Sequence, residues 1–245
     1  MRKITYTISL FATLTILSSC EVLEEVTTIA TTPTTPAKPQ LTNGEVISGL
    51  REALTVGIKN SVNLTSVTDG FLKNTAIRIP FPEDAIKVKQ KALEWNMNSQ
   101  VEKFETTLNR AAEEATKEAL TIFTNAITNM SVQDGFAILN GGNGAATKFL
   151  RDQTTSQLIT AFKPKVTAAI ATVKLTEYWD PIISKYNSAM TLTGGEKINP
   201  NLDDYITQRA ISGLFHMVEQ EENKIRLDPI ARVTDLLAKV FGSIK

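Results

Sequence analysis

The chain has 245 residues, with 26 basic and 26 acidic side chains and a formal net charge of zero. Balanced charge excludes the strong basic footprint that a nucleic-acid partner demands. A single cysteine excludes an intramolecular disulfide, so the core alone must hold the fold, and the length suffices for one domain with a sizeable core.

Residues 1–20 stand apart by composition. Arg2 and Lys3 precede an uncharged run from Ile4 to Leu17, which closes on Leu17-Ser18-Ser19-Cys20. Two cations, a short apolar run and small residues form a secretory signal. The run is shorter than the roughly 20 residues that a membrane-spanning helix needs. Removal of residues 1–19 takes away Arg2 and Lys3 and no acid, which leaves the mature chain with two more acids than bases.

Leu17-Ser18-Ser19-Cys20 resembles the lipobox of bacterial lipoproteins. The resemblance implies a diacylglycerol on the Cys20 thiol, cleavage just before it, and contact with a membrane through that anchor. Each buried methylene contributes about 0.8 kcal/mol, so two or three acyl chains hold a protein stably where one does not. In such lipoproteins an Asp after the cysteine favours the inner membrane. Glu21 stands there instead, so the expected place is the cell envelope, lipid-anchored at the outer membrane and facing the periplasm.

Residues 20–42 hold the anchor and a Thr/Pro-rich stretch with Pro33, Pro36 and Pro39. It has little to bury and reads as a disordered, extended tether. The domain is expected over residues 43–245, and its signals are helical. Ile47, Leu50, Leu54, Ile58 and Val62 predict a helix over 44–64. Asp69-Gly70 marks a turn. Ile77-Arg78-Ile79-Pro80-Phe81-Pro82 cannot be helical, because its prolines remove donors and push their predecessors to extended geometry. A short helix follows over about 83–95.

Ser99-x-x-Glu102 has the form of a capping box. It predicts one long helix from 99 to 129, carried by Phe104, Leu108, Ala111, Ala115, Ala119, Ile122, Ala126 and Met130. Ser131-x-x-Asp134 caps a short helix ending near Leu139, and Asn140-Gly141-Gly142 stops it. A helix from near Asn143 is expected to break or kink around Pro164. Asp180-Pro181 reads as an N-cap followed by proline at the first helical position, with the helix running to Met190. A loop at 193–200 leads to a central helix from Leu202 through Val218. Asp228-Pro229 repeats the N-cap pattern ahead of a last helix with Ile230, Val233, Leu236, Leu237, Val240 and Phe241 on its apolar face. No strand alternation is sustained. The fold class is all-α: a single multi-helix domain with one short extended proline-containing segment, after a signal peptide and a disordered tether.

Residues suited to chemistry are few. His216 is the only histidine and the domain has no cysteine, a poor set for a transition metal. No metal and no cofactor is therefore expected. No Gly-x-Ser-x-Gly occurs. Gly141-Gly142-Asn143-Gly144 before Thr147 and Lys148 lacks the preceding strand of a phosphate loop, and reads as helix stop, turn and helix start.

The informative remainder is a set of polar residues on helices: Asn109, Arg110, Glu113, Asp134, Arg151, Glu222, Arg226 and Arg232. Arg110 reaches Glu113 at i+3, and Glu222 and Arg226 sit where an apolar stripe ends. These eight are expected as one buried network. Its structural role would be to fix helix register. Its functional role would be a carboxylate and guanidinium site for anionic ligands or acid–base work.

Several stretches resemble a bacterial family, domain of unknown function number four-one-nine-seven. They include Gly49-Leu50-Arg51-Glu52-Ala53-Leu54, Asp69-Gly70-Phe71, Ile77-Arg78-Ile79-Pro80, Leu108 to Glu113, Ile138 to Gly142 and Ala145-Ala146-Thr147. They continue through Ser212 to Phe215, Glu221-Glu222, Ile225-Arg226 and Asp228-Pro229. Gly135 departs from the pattern, which prefers Ala there. The resemblance implies an exported, helical, envelope-associated protein and no reaction. The leading expectation is thus a non-catalytic lipoprotein that binds an envelope protein partner or acts as a scaffold. The alternatives are an enzyme working on envelope material through the polar cluster, and a carrier of an apolar ligand.

Overall fold

The computed structural model describes residues 42–172, 174–198, 201–232 and 234–243. The expected signal, Cys20 with its expected lipid, and all of the expected tether but Thr42 lie outside the described residues.

Thr42 starts the first helix, α1 (Asn43–Thr65). Its hydroxyl accepts from the Glu45 N–H at 3.2 Å, and the Glu45 carboxylate accepts from the Thr42 N–H at 2.8 Å. This reciprocal box satisfies two donors that a helix start leaves open. Val46, Leu50, Ala53, Leu54, Ile58 and Val62 are buried along the inner face of α1, which bears out the expected helix.

The chain then turns at Asp69, whose φ of 71° is left-handed. Phe71 is fully buried against α8 (Asp203–Leu227) at Gly213, where an added Cβ would lie 2.7 Å from the Phe71 ring. Residues 77–82 form no helix, as expected. Ile77, Ile79 and Phe81 are buried while Arg78 and Pro80 face out. The Tyr205 hydroxyl donates to the Pro80 carbonyl at 2.9 Å. A 3-10 turn (Glu83–Ala85) leads into α2 (Ile86–Glu94).

The long helix expected over 99–129 is two helices, α3 (Asn98–Thr116) and α4 (Ala119–Thr128). The Thr116 hydroxyl donates to the Glu113 carbonyl at 3.0 Å, and the Glu118 N–H reaches Ala115 in a tightened final turn at 3.3 Å. Lys117 and Glu118 stay in solvent while Ala115 and Ala119 on either side are fully buried. The break lets both alanine faces reach the core. The capping box at Ser99 is not formed. Asn96 is left-handed at φ 58°, Met97 follows, and the Met97 carbonyl accepts the first helical bond, from Val101 at 3.1 Å. Ser99 is therefore already inside the helix.

Ser131 and Asp134 form the expected capping box ahead of α5 (Val132–Asn140). Next, α6 (Ala145–Thr172) passes through Pro164 without a break. Pro164 is exposed, and so is Thr160, whose carbonyl loses the N–H four residues on; water can serve that carbonyl instead. Likewise α7 (Leu175–Thr193) passes through Pro181, so Asp180 is not a cap. The buried stripe Trp179, Ile182, Ile183 and Tyr186 spans the proline, and its burial outweighs one missing donor. Trp179 stacks on Phe104 at 4.7 Å between centroids, and Phe81 packs edge-on against Trp179 at 5.7 Å.

Helix α8 lies at the centre, packed against α1, α3 and α6. Asp228 accepts from the Ile230 N–H at 2.9 Å, but only a 3-10 turn (Pro229–Ala231) follows. The last helix, α9 (Asp235–Ser243), starts later than expected, and it buries Val240 and Phe241. Ile230 is not on its apolar face and is 88% exposed. No strand occurs among the described residues. Residues 41–245 form one compact unit, so the expectation of a single all-α domain holds.

Candidate functional site

The eight residues expected in one network fall into two separate clusters with two outliers. The first cluster sits on α3. Glu113 is buried, and its Oε1 accepts from the N–H groups of Phe71 and Leu72 at 3.1 and 3.3 Å. Its Oε2 accepts from Arg110 Nη1 at 2.7 Å. The other end of Arg110 reaches Asp69 Oδ1 at 2.5 Å. One helical turn earlier, Asn109 pairs with the backbone of Ile79. Its Oδ1 accepts from the N–H at 2.8 Å and its Nδ2 donates to the carbonyl at 3.0 Å. Together Asn109, Arg110 and Glu113 strap residues 69–79 to α3.

The second cluster sits on α8. Glu222 is buried, and it places its carboxylate at the start of α6. Oε1 accepts from the Ala146 N–H at 3.0 Å. Oε2 accepts from the Thr147 N–H and hydroxyl, both at 2.8 Å. Arg226 donates through Nε to Glu222 at 2.9 Å and through Nη2 to the Ile138 carbonyl at 2.8 Å, near the end of α5. Arg232 donates to the carbonyls of Arg226 and Ile225 at 2.8 and 3.2 Å, near the end of α8. One ion pair thus caps the end of α5 and the start of α6, where exposed backbone donors and acceptors meet the helix dipole.

The outliers are Asp134 and Arg151. Asp134 is held in its own capping box by Ser131. The Ser131 hydroxyl and N–H hold its carboxyl below the usual range. Arg151 lies over the Phe215 ring with its guanidinium carbon 4.4 Å from the centroid. Neither joins either cluster. The expectation of one polar network fails because helix ends and a loop compete for these charges. A buried carboxylate surrounded by open N–H groups binds them first.

Residues that sequence reasoning missed do similar work. Asp69 completes the first cluster. The hydrogen bond from Lys73, then that from Arg110, holds its carboxyl below its ordinary value. Glu105 takes both Arg78 and Lys89. Arg51 donates to the Met130 carbonyl just past α4 at 2.6 Å. Asn60 on α1 donates to Glu221 on α8 at 2.8 Å. Of these, only Arg51 and Glu105 sit on helices that face an irregular segment, and that position was the available signal.

Chemically, Glu113 and Glu222 are engaged by their own chain. Each accepts two backbone N–H groups and a guanidinium, and both side chains are buried. The amides at the start of α6 are taken by Glu222, so this glycine-rich turn offers a phosphate little there. The cavity between α1, α6, α8 and α9 measures 20 Å³, about one water's room and too little for an apolar ligand. No group of three or more His, Cys, Asp or Glu side chains that could hold a metal ion occurs among the described residues. None of the described helices is long and apolar enough to cross a membrane.

A family model described as protein of unknown function (DUF4197) matches residues 40–242. The chain belongs to this family. The match bears out the resemblance carried by the quoted segments, and both clusters of this DUF4197 domain fall inside it. No curated protein and no solved structure matches the chain.

Proposed function

We propose that this chain is a lipid-anchored envelope protein whose DUF4197 domain is a non-catalytic binding module, held away from the bilayer by residues 20–42. The burial of Glu113 and Glu222 and their engagement with backbone N–H groups carry the non-catalytic reading. An acid–base group must reach a substrate proton, and these two carboxylates are spent on the backbone of Phe71, Leu72, Ala146 and Thr147. The anchoring reading is supported by Leu17-Ser18-Ser19-Cys20 after an uncharged run, and by the Thr/Pro stretch that follows. At about 3 Å per residue such a stretch spans tens of ångströms, enough for the domain to meet another component of the envelope. Glu21 favours the outer membrane, facing the periplasm.

The anchor is tested by metabolic labelling with a fatty-acid probe. The wild-type chain takes up the label and Cys20→Ala does not; equal labelling of the two refutes the lipid site. The binding role is tested by photo-crosslinking in cells from exposed positions on the domain. A reproducible cross-linked species supports the role, and none from any face counts against it.

A further inference from the structure

Asn43, Asn140 and Asn143 are each followed by glycine. In such a pair the backbone nitrogen of the glycine can attack the carbonyl carbon of the asparagine side chain, because no Cβ on the glycine crowds the approach. Two conditions govern the attack. The glycine N–H must be free of a hydrogen bond, and the carboxamide carbon must be able to swing towards that nitrogen.

The fold treats the three pairs differently. Asn43 is the first residue of α1. A side chain on a helix is directed back towards the N-terminus, away from the next nitrogen. Asn140 is the last residue of α5, and there the Gly141 N–H is also bonded to the Ile138 carbonyl at 3.3 Å. Asn143 lies in the turn between α5 and α6, outside both helices, and is exposed. Gly144 is left-handed at φ 76°. Its N–H and the Asn143 carboxamide have no hydrogen-bond partner among the described residues. The two Asp-Gly pairs, which could form the same ring, are held as Asn140 is: the N–H groups of Gly70 and Gly135 donate to the carbonyls of Val67 and Ser131 at 2.9 and 3.1 Å.

We propose that Asn143 is a site of spontaneous deamidation, at which the native chain acquires an aspartate or isoaspartate in the turn between α5 and α6. The Gly144 nitrogen attacks Cγ of Asn143 and a C–N bond forms. The side-chain nitrogen departs as ammonia, which carries off the proton lost from the Gly144 N–H, and a cyclic imide remains. Water then adds across one of the two ring bonds to nitrogen. Its hydroxyl goes to carbon and its proton returns to nitrogen. Cleavage at Cγ gives aspartate. Cleavage at the main-chain carbonyl gives isoaspartate, with Cβ now part of the backbone. Nothing is oxidised or reduced, and water is the only co-reactant.

The place makes the change consequential. Either product puts a new carboxylate just before α6, where Glu222 already accepts from the Ala146 and Thr147 N–H groups. Glu219 Oε1 lies only 3.3 Å from where a Cβ on Gly144 would sit, so like charges are brought close together. Isoaspartate also lengthens the turn by one methylene. That turn joins the Ile138 carbonyl held by Arg226 to the amides held by Glu222, so its extra length loosens a junction fixed at both ends.

The experiment ages the purified full-length protein in mildly alkaline buffer, with a parallel sample in denaturant. Samples taken over time are digested, and the three Asn-Gly peptides are followed by mass spectrometry with electron-transfer fragmentation, which tells isoaspartate from aspartate. In the native sample Asn143 converts first. Asn140 follows roughly five- to tenfold more slowly, since the hydrogen bond on Gly141 must open before attack, and Asn43 also lags. In denaturant the three rates converge, because the fold no longer separates them. Native conversion of Asn43 or Asn140 as fast as that of Asn143 overturns the proposal. So does an Asn143 that stays intact in the native sample while the denatured chain converts. The isoaspartate form, separated by ion exchange, melts below Asn143→Asp, which adds the charge without the methylene. Equal midpoints for those two overturn the loosening of the junction.

Discussion

Asp69 combines two demands at one position. Its backbone is left-handed, which Asp tolerates better than most residues. Its carboxylate holds Lys73 and Arg110. Those bonds, that from Lys73 first, depress the carboxyl below its ordinary value of 3.8. A carboxyl depressed in the folded state adds stability above its unfolded pKa, and loses it as the pH falls through the folded value. The thermal midpoint of the wild type therefore drops on acidification below the ordinary aspartate range. Asp69→Asn keeps the turn but removes the charge. It is expected to melt lower at pH 7 and to lose less on acidification, and a parallel drop in both proteins would contradict this. Gly135 is also explained at this scale. A Cβ there would lie 2.1 Å from Ile47 Cδ1. The space that an alanine Cβ would need is occupied here by the last carbon of Ile47.

At the scale of elements, helix ends are finished by residues from elsewhere in the chain. Glu222 serves the start of α6 from a distance of 76 residues, and Arg226 reaches the end of α5 across 88. Glu222→Ala leaves the Ala146 and Thr147 N–H groups unsatisfied and Arg226 without its partner. A loss of about 3–5 kcal/mol is expected, read from the denaturant midpoint. Glu222→Gln keeps the acceptor and should lose less; equal loss would mean that the charge, rather than the cap, dominates. The same element scale decides what was legible in the sequence. The helices over 43–65, 132–140 and 203–227 were readable because apolar periodicity coincided with burial. The non-helical segment at 77–82 was readable because two prolines forbid a helix. The boundary at Ser99 was misread although its pattern matches a capping box. A cap also requires extended backbone at the first residue, which Thr42 has at φ −71°, ψ 155° and Ser99, already helical, does not. Pro181 misled for a related reason. Its local rule was overridden by a stripe of buried aromatic and aliphatic groups that no single residue reveals.

Across the whole molecule, the candidate site was legible residue by residue and not in its grouping. Asn109, Arg110, Glu113, Glu222, Arg226 and Arg232 were rightly singled out as polar groups on apolar helices, and five of the six fasten to backbone of another element or loop. Their division into two clusters depends on which loops and helix ends come near, which one sequence does not encode locally. Because distant segments complete one another, the domain is expected to unfold as one unit. Far-ultraviolet circular dichroism and the fluorescence of Trp95 and Trp179 should give one midpoint; separate midpoints would show independent subdomains.

The capping of the α5–α6 junction by α8 also bears on the order in which the protein can mature. As the chain emerges from its N-terminal end, residues 138–147 are made long before Glu222 and Arg226. Until that later stretch arrives, two helix termini keep raw amides and carbonyls in water, and the nascent bundle cannot close. The arrangement postpones tight packing of this junction until most of the polypeptide exists.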